Sequence, residues 1–313
     1  SVLVRLLLSA GYRVRVVDNL MFGGESIVDL LTDEQFEFIL GDIRDKRTAE
    51  ESLEDIDIVV HLAAIVGDPA CREQPELARS TNLEASKQLH RFARKLGARQ
   101  FIFASTCSNY GKMDDPEAFV TETTRLAPIS LYAETKVEFE QYLLSHDEAT
   151  GEEEVVPTIL RFSTVYGLSP RPRFDLTVNE FTKELALGRE LVIFGRQFWR
   201  PYCHVVDLAR SVIEVIESPR ENIEYEVFNV GSNDENYTKQ MLVDAIVEQI
   251  PDAQLKYVKK DEDPRDYRVN FDKISEQLGF SITKRVPDGI TEVRKAVTEG
   301  FFNDPDDPRY RNS

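Results

Sequence analysis

Phe101-Ile-Phe-Ala-Ser-Thr-Cys-Ser-Asn-Tyr-Gly111 decides the fold. Its opening Phe101-Ile-Phe-Ala104 reads as a strand, which stops at small polar residues. Similar strands alternate with helical patterns on either side. Residues 1–10 carry apolar side chains at helical spacing, and Tyr12-Arg-Val-Arg-Val-Val17 then alternates as a strand ending at Asp18. Glu37-Phe-Ile-Leu40 is a short strand before Gly41-Asp42, and Ile56-Asp-Ile-Val-Val-His-Leu62 is another, ending in Ala63-Ala64. A helical stretch runs from Glu76 to Leu96. After the deciding strand, Leu131 to Ser145 reads as a helix with Ser130 as its cap, and Val156-Pro-Thr-Ile-Leu-Arg-Phe162 as a further strand. Strands separated by helices imply βαβ units and a Rossmann-like, doubly wound parallel sheet in an α/β fold.

Beyond Gly167 the pattern turns irregular and rich in Pro and Arg, from Leu168 to Asp175. Helices are expected near 176–187, 205–217 and 238–249, with a strand at Glu226-Val-Phe-Asn-Val-Gly231. The chain then reads as charged, and its last dozen residues, FNDPDDPRYRNS, as a solvated tail.

The bulk numbers set outer limits. A chain of 313 residues with 42% apolar content can fill a core. No apolar run of about 18 residues is present, so no membrane span is expected. Arginines inside the opening apolar stretch argue against a signal peptide. A net charge of −18, from 38 Lys and Arg against 56 Asp and Glu, argues against a nucleic-acid backbone as partner. Three cysteines, Cys71, Cys107 and Cys203, show no metal-ligand spacing, so no metal is expected and a reducing cytoplasm is the default location.

The end of the second element carries the first chemical signal. Asp18 stands where a dinucleotide fold places a carboxylate on the adenosine ribose, and a carboxylate there repels a 2′-phosphate, favouring NAD over NADP. Turn preference alone also puts Asp at strand ends. Such a fold needs a strand and a glycine-rich turn before its first helix, yet Ser1 already lies in helical pattern. The expectation is that this strand and loop are missing upstream of Ser1; the alternative is a chain opening on an amphipathic helix.

Tyr132-Ala-Glu-Thr-Lys136 carries the second signal. Residues four apart share a helix face. An unperturbed phenol, with a pKa of about 10, is a poor base, and a neighbouring ammonium favours the phenolate. Such a tyrosine can take a proton from a sugar hydroxyl. Thr106, at the carboxyl end of the deciding strand, could share a proton with it. A surface Tyr/Lys pair is the plain alternative.

Taken together, HLAA (61–64), STCSNYG (105–111), YAETK (132–136), RFSTVYG (161–167) and RPYCHVVD (200–207) resemble the extended short-chain dehydrogenase/reductases, the NAD-dependent epimerase/dehydratase group. The resemblance implies an NAD-binding domain over 1–167, to which 201–231 returns, and a smaller α/β substrate-binding lobe from 168–200 and 232–313. It implies Tyr132, Lys136 and Thr106 as catalytic residues. NAD contacts would come from Asp18, Asn19, Asp42, Ile43, Leu62, Ala63, Ala64, Asn82, Phe162 and Val165 together with Tyr132 and Lys136. A nucleotide-sugar substrate would meet Ser108, Thr164, Asn179, Arg200 and Arg268, with Arg171 and Arg173 near the cleft. His61 and His204 read as structural. A homodimer through the helices near 82–96 and 132–145 is also implied.

Departures narrow the reaction. The dehydratases of the group carry Asp-Glu directly after the catalytic Thr, and the decarboxylases a Glu; here Cys107 and Ser108 stand there. Epimerisation through a keto intermediate is therefore expected. The alternatives are a nucleotide-4-keto-sugar reductase and a non-catalytic NAD-binding or scaffold protein.

Overall fold

The computed structural model describes residues 1–113, 115, 118–145, 155–259 and 265–312. The first half contains α1 (Val2–Ser9), β1 (Val14–Asp18), β2 (Phe36–Leu40), α2 (Lys46–Glu51), β3 (Ile58–His61), α3 (Asp68–Glu73), α4 (Pro75–Arg79), a π-helical turn (Ser80–Ala85), α5 (Ser86–Lys95), β4 (Gln100–Thr106), β5 (Phe119–Val120) and α6 (Leu131–Leu144). The second half continues with β6 (Val156–Phe162), β7 (Thr164–Tyr166), α7 (Thr177–Ala186), β8 (Leu191–Phe194), β9 (Trp199–His204), α8 (Val205–Glu217), β10 (Glu226–Val230), β11 (Asn236–Thr238), α9 (Lys239–Gln249), β12 (Leu255–Val258), β13 (Arg268–Val269), α10 (Asp272–Leu278) and α11 (Val286–Thr298).

Strands β10-β6-β4-β3 form one parallel sheet, and β1 pairs in parallel with β2 as a separate hydrogen-bonded block. Successive side chains of a strand point to opposite faces, and each face of the larger sheet is covered. Ile102, Leu160 and Phe228 pack on one side with Leu3 and Leu7 of α1 and Val212 and Val215 of α8. Phe101, Phe103 and Ile159 pack on the other with Leu89 and Ala93 of α5 and Phe139 and Leu143 of α6. This α/β architecture leaves the carboxyl ends of β3, β4 and β6 facing one edge, where open parallel sheets hold their ligands.

A second apolar cluster sits apart from the sheet. It joins Val178, Phe181 and Leu185 of α7, Leu191 and Ile193 of β8, Leu242 and Ile246 of α9, and Val286 and Ile290 of α11. The sequence reading missed α10, α11 and the short strands β8, β9, β11, β12 and β13. Pro287 and Gly289 interrupt the first turn of α11 and mask its helical spacing. Gly289 is required by proximity: a β-carbon there would lie 2.4 Å from a ring carbon of Tyr166.

The expected solvated tail is instead a strap, apart from Ser313, which lies outside the described residues. Phe302 and Tyr310 pack edge-on against buried Phe174. The backbone N–H of Phe174 donates to Tyr310 O at 2.9 Å. Asp306 accepts from the fully buried Lys183 and from Arg189, both at 2.6 Å. The sequence hides this because Lys183 and Asp306 are distant in the chain, and both look like surface charges. The two cations, Arg189 first, hold the Asp306 carboxyl well below the usual carboxylate range. A depressed carboxylate contributes stability that is present above its unfolded pKa of about 4 and lost as pH falls toward the folded value. Acidification below that point, or Asp306→Asn at neutral pH, is expected to release the strap. Faster hydrogen exchange at the Phe174 amide is the readout, and unchanged exchange in both cases would refute the latch.

Candidate active site

Helix α6 is started by its cap. Ser130 Oγ accepts from the Ala133 N–H at 3.3 Å and donates to Asp68 Oδ1 at 2.7 Å, so the first turn is pinned to α3. Asp68 is held in turn by Arg265 at 3.2 Å. That first turn carries Tyr132, and Lys136 follows one turn later on the same face. Lys136 Nζ lies 5.9 Å from the centroid of the Tyr132 ring and 4.6 Å from that of Phe103. It donates to Ala104 O at 2.8 Å. At the end of β4 the Thr106 hydroxyl hydrogen-bonds to Tyr132 and accepts from the Ser108 N–H at 3.1 Å. The structure thus brings the phenol, the ammonium and the alcohol together.

Electrostatics departs from the simple expectation of a lowered phenol pKa. Burial is the largest influence on Tyr132 and pushes its pKa up; Arg173 and the Thr106 hydrogen bond oppose it only partly. Burial also brings Lys136 down to about 8, against the pull of Glu140 and Cys71 upward. His61, beneath the site, falls to about 3 through burial and the Lys136 charge, and its Nε2 pairs with Ser86 Oγ at 2.7 Å. Cys107 is buried, donates its thiol to Arg161 O at 3.2 Å, and is pushed far up by desolvation. The residue after Thr106 is therefore a buried, neutral thiol rather than a carboxyl group.

Asn82 lies in the π-helical turn, a distortion common at functional sites. Its amide accepts from Ile65 N at 2.8 Å and donates to Ile65 O at 3.0 Å and to Thr135 Oγ1 at 3.4 Å. It ties the segment after β3 to α6 beside Tyr132.

Two acids mark the outer end of the groove. Asp18 ends β1 and accepts from the Leu20 N–H at 2.7 Å. Asp42 follows β2, accepts from Asn19 Nδ2 at 3.4 Å, and is held at about 2 by hydrogen bonds from Arg44. Ile43 is buried beside it. Past β3, Leu62 is exposed and Ala63 and Ala64 are half-buried. Phe162, Thr164 and Val165 are half-buried at the end of β6 and in β7.

Ser108 and Arg200 meet Tyr267, and Arg268 meets Phe119 and Trp199. Buried Tyr267 hydrogen-bonds to Ser108, and the Arg200 guanidinium lies 5.3 Å from the Tyr267 ring centroid. Arg268 is sandwiched between Phe119 and Trp199, at 4.6 and 4.9 Å. Tyr267 was not singled out in the sequence, although its neighbour Arg268 was. Asn179 stands apart: its amide brackets Gly167, accepting from N at 2.9 Å and donating to O at 3.1 Å. Arg171 donates to Arg309 O and Arg311 O in the strap and stacks 3.9 Å from the Phe22 ring. Arg173 pairs with Asp175 at 2.6 Å. His204 Nε2 pairs with Glu292 at 3.0 Å.

Residues 1–231 match the model of the NAD dependent epimerase/dehydratase family. The chain belongs to that family. A UDP-glucose 4-epimerase of Thermotoga maritima, solved with UDP-glucose, superposes with a TM-score of 0.82 at 27% identity, covering 96% of this chain and 95% of that one. A UDP-glucuronic acid 4-epimerase of Bacillus cereus, solved with UDP-glucuronic acid and NAD, gives 0.81 at 25% identity, covering 96% and 95%. An uncharacterized UDP-glucose epimerase of Bacillus subtilis, YtcB, is 27% identical over 274 residues, 85% of this chain and 82% of the relative. Family membership makes this an NAD-dependent enzyme of extended short-chain dehydrogenase/reductase type. No helix among the described residues is long and apolar enough to cross a membrane.

Proposed function

We propose that the chain epimerises a nucleotide-activated sugar through a transient keto intermediate. The observation that carries this reading is the convergence of Tyr132, Thr106 and Lys136 beside a neutral pair, Cys107 and Ser108, where elimination and decarboxylation would need a carboxyl group. Bound NAD would take a hydride from the sugar and return it. Tyr132 takes the hydroxyl proton, and the Thr106 hydroxyl, hydrogen-bonded to it, holds the sugar oxygen at the phenol. Lys136 supplies a fixed positive charge beside the phenol.

The residues present fit the adenosine and nicotinamide ends of the dinucleotide. Two carboxylates at adjacent strand ends suit ribose hydroxyls, and Ala63 and Ala64 leave room for a close approach. Asp18, Asn19, Asp42 and Ile43 would hold the adenosine end, with Leu62, Ala63, Ala64, Asn82, Phe162 and Val165 along the groove. The sugar nucleotide would lie between a dinucleotide lobe, 1–167 with 201–231, and a smaller lobe, 168–200 with 232–313. Ser108, Thr164, Arg200 and Arg268 would face it, with a guanidinium fork suited to diphosphate, whereas the expected Asn179 contact gives way to a structural role, because its buried amide is spent on Gly167. We place a homodimer contact on α5 and α6.

Nucleotide sugars supplied with NAD should interconvert with no net NADH formed. Stoichiometric NADH consumption with a keto-sugar would favour a reductase instead. Asp18→Ser removes the charge that repels a 2′-phosphate, so the NADP to NAD preference is expected to rise by about ten-fold or more. Cofactor titrations that leave the ratio unchanged would remove Asp18 from the ribose site.

A further inference from the structure

Three successive residues of β4 are gripped by three residues spaced one turn apart on α6. Ala104 O accepts from Lys136, Ser105 Oγ donates to Glu140, and Thr106 pairs with Tyr132. Glu140 is almost fully buried and is not a member of the proposed catalytic set. Its carboxylate accepts from Arg161 Nη2 at 2.7 Å and Nε at 3.1 Å, and from Asn109 Nδ2 at 2.8 Å. Arg161 is itself buried and also donates to Tyr110 OH at 3.0 Å. Glu140 thus accepts from a guanidinium, a hydroxyl and an amide at once.

We infer that Glu140 is a positioning residue that keeps Lys136 charged and registers α6 on the end of β4. The inference rests on the proposed role of Tyr132 and Lys136. Ser105 and Thr106 are adjacent on β4 and both meet α6, so fixing Ser105 on Glu140 restricts the backbone that aims Thr106 at Tyr132. Lys136 meets Cys71 from α3, His61 from β3, Ala104 O and the Phe103 ring from β4, and Tyr132 and Glu140 from its own helix. His61 is neutral and the Cys71 thiol is pushed up to about 11, so neither supplies a countercharge at neutral pH. Glu140 is the first-ranked influence opposing the burial of the Lys136 ammonium.

The test is an NMR titration of the Lys136 side chain in the whole chain, labelled at lysine carbons and assigned by difference from Lys136→Arg. In Glu140→Gln the Lys136 midpoint is expected to fall by about one pH unit or more. Glu140→Asp should restore most of it. Because Glu140→Gln strands Arg161, the same titration is run on the neutral double variant Glu140→Gln/Arg161→Met, in which the downward shift should persist. An unmoved midpoint in either soluble variant overturns the inference. The alkaline limb of kcat should move with the midpoint. Tyr132→Phe separates the two levels: an active Tyr132→Phe sinks the proposed mechanism, whereas a dead one beside an unmoved Lys136 midpoint sinks only the role of Glu140.

Discussion

Tyr132→Phe is expected to lower kcat by about 10²–10⁴-fold while leaving NAD affinity almost unchanged. The substitution removes one oxygen and keeps the ring, so the packing of α6 against α3 survives. What is lost is the group proposed to take the sugar proton, which is also the partner of Thr106. The phenol needs help to act, because burial in the free chain pushes its pKa up rather than down. The positive charge of a bound nicotinamide, added to that of Lys136, is the remaining influence able to lower it. A phenolate titration by ultraviolet difference, wild type against Tyr132→Phe, should therefore show ionisation at lower pH with NAD than without. Substantial turnover by the phenylalanine variant would remove Tyr132 from the role of base.

Arg161→Met is expected to cost about 3–5 kcal/mol in unfolding free energy, because it leaves the Glu140 carboxylate buried and unpaired. The ion pair lies almost wholly inside the protein, with side-chain exposures of 5% and 2%. Removing Arg161 forfeits its hydrogen bonds to Glu140, Tyr110 OH and Glu122 O together with the countercharge. Removing both charges, in Glu140→Gln/Arg161→Met, should recover most of the loss, since a neutral pair carries no buried charge to compensate. Urea unfolding of the three forms reads this directly. A single variant within about 1 kcal/mol of wild type would show that water reaches Glu140 and that the pair is not the anchor described here.

The contrast between these two sites shows what a sequence can reveal. Tyr132 and Lys136 were readable because a helix turn puts residues four apart on one face, and Ser130 marked where that helix begins. Glu140 continues the same stripe, yet a glutamate in a helix reads as solvated unless its partner is known. That partner, Arg161, sits on strand β6 and was quoted only within a strand and the RFSTVYG stretch, never as a partner. Lys183 and Asp306 hid for the same reason, and their pairing turned an expected tail into a strap. The parallel sheet was legible because strands buried on both faces leave long apolar runs. Strands of two to four residues, such as β5, β8 and β13, leave no comparable trace, and Pro287 disguised α11. The shortfall follows chain separation: local periodicity survives in one dimension, whereas a buried ion pair exists only once the chain has folded.

The most direct test uses nucleotide hexoses deuterated at each hydroxyl-bearing ring carbon, incubated with the protein and NAD and followed by NMR. For one labelled position the account predicts an epimer that has kept its deuterium, formed without net NADH. An epimer that had exchanged its deuterium for solvent hydrogen at the inverted carbon would contradict it, because the hydrogen would then have left as a proton rather than been carried and returned.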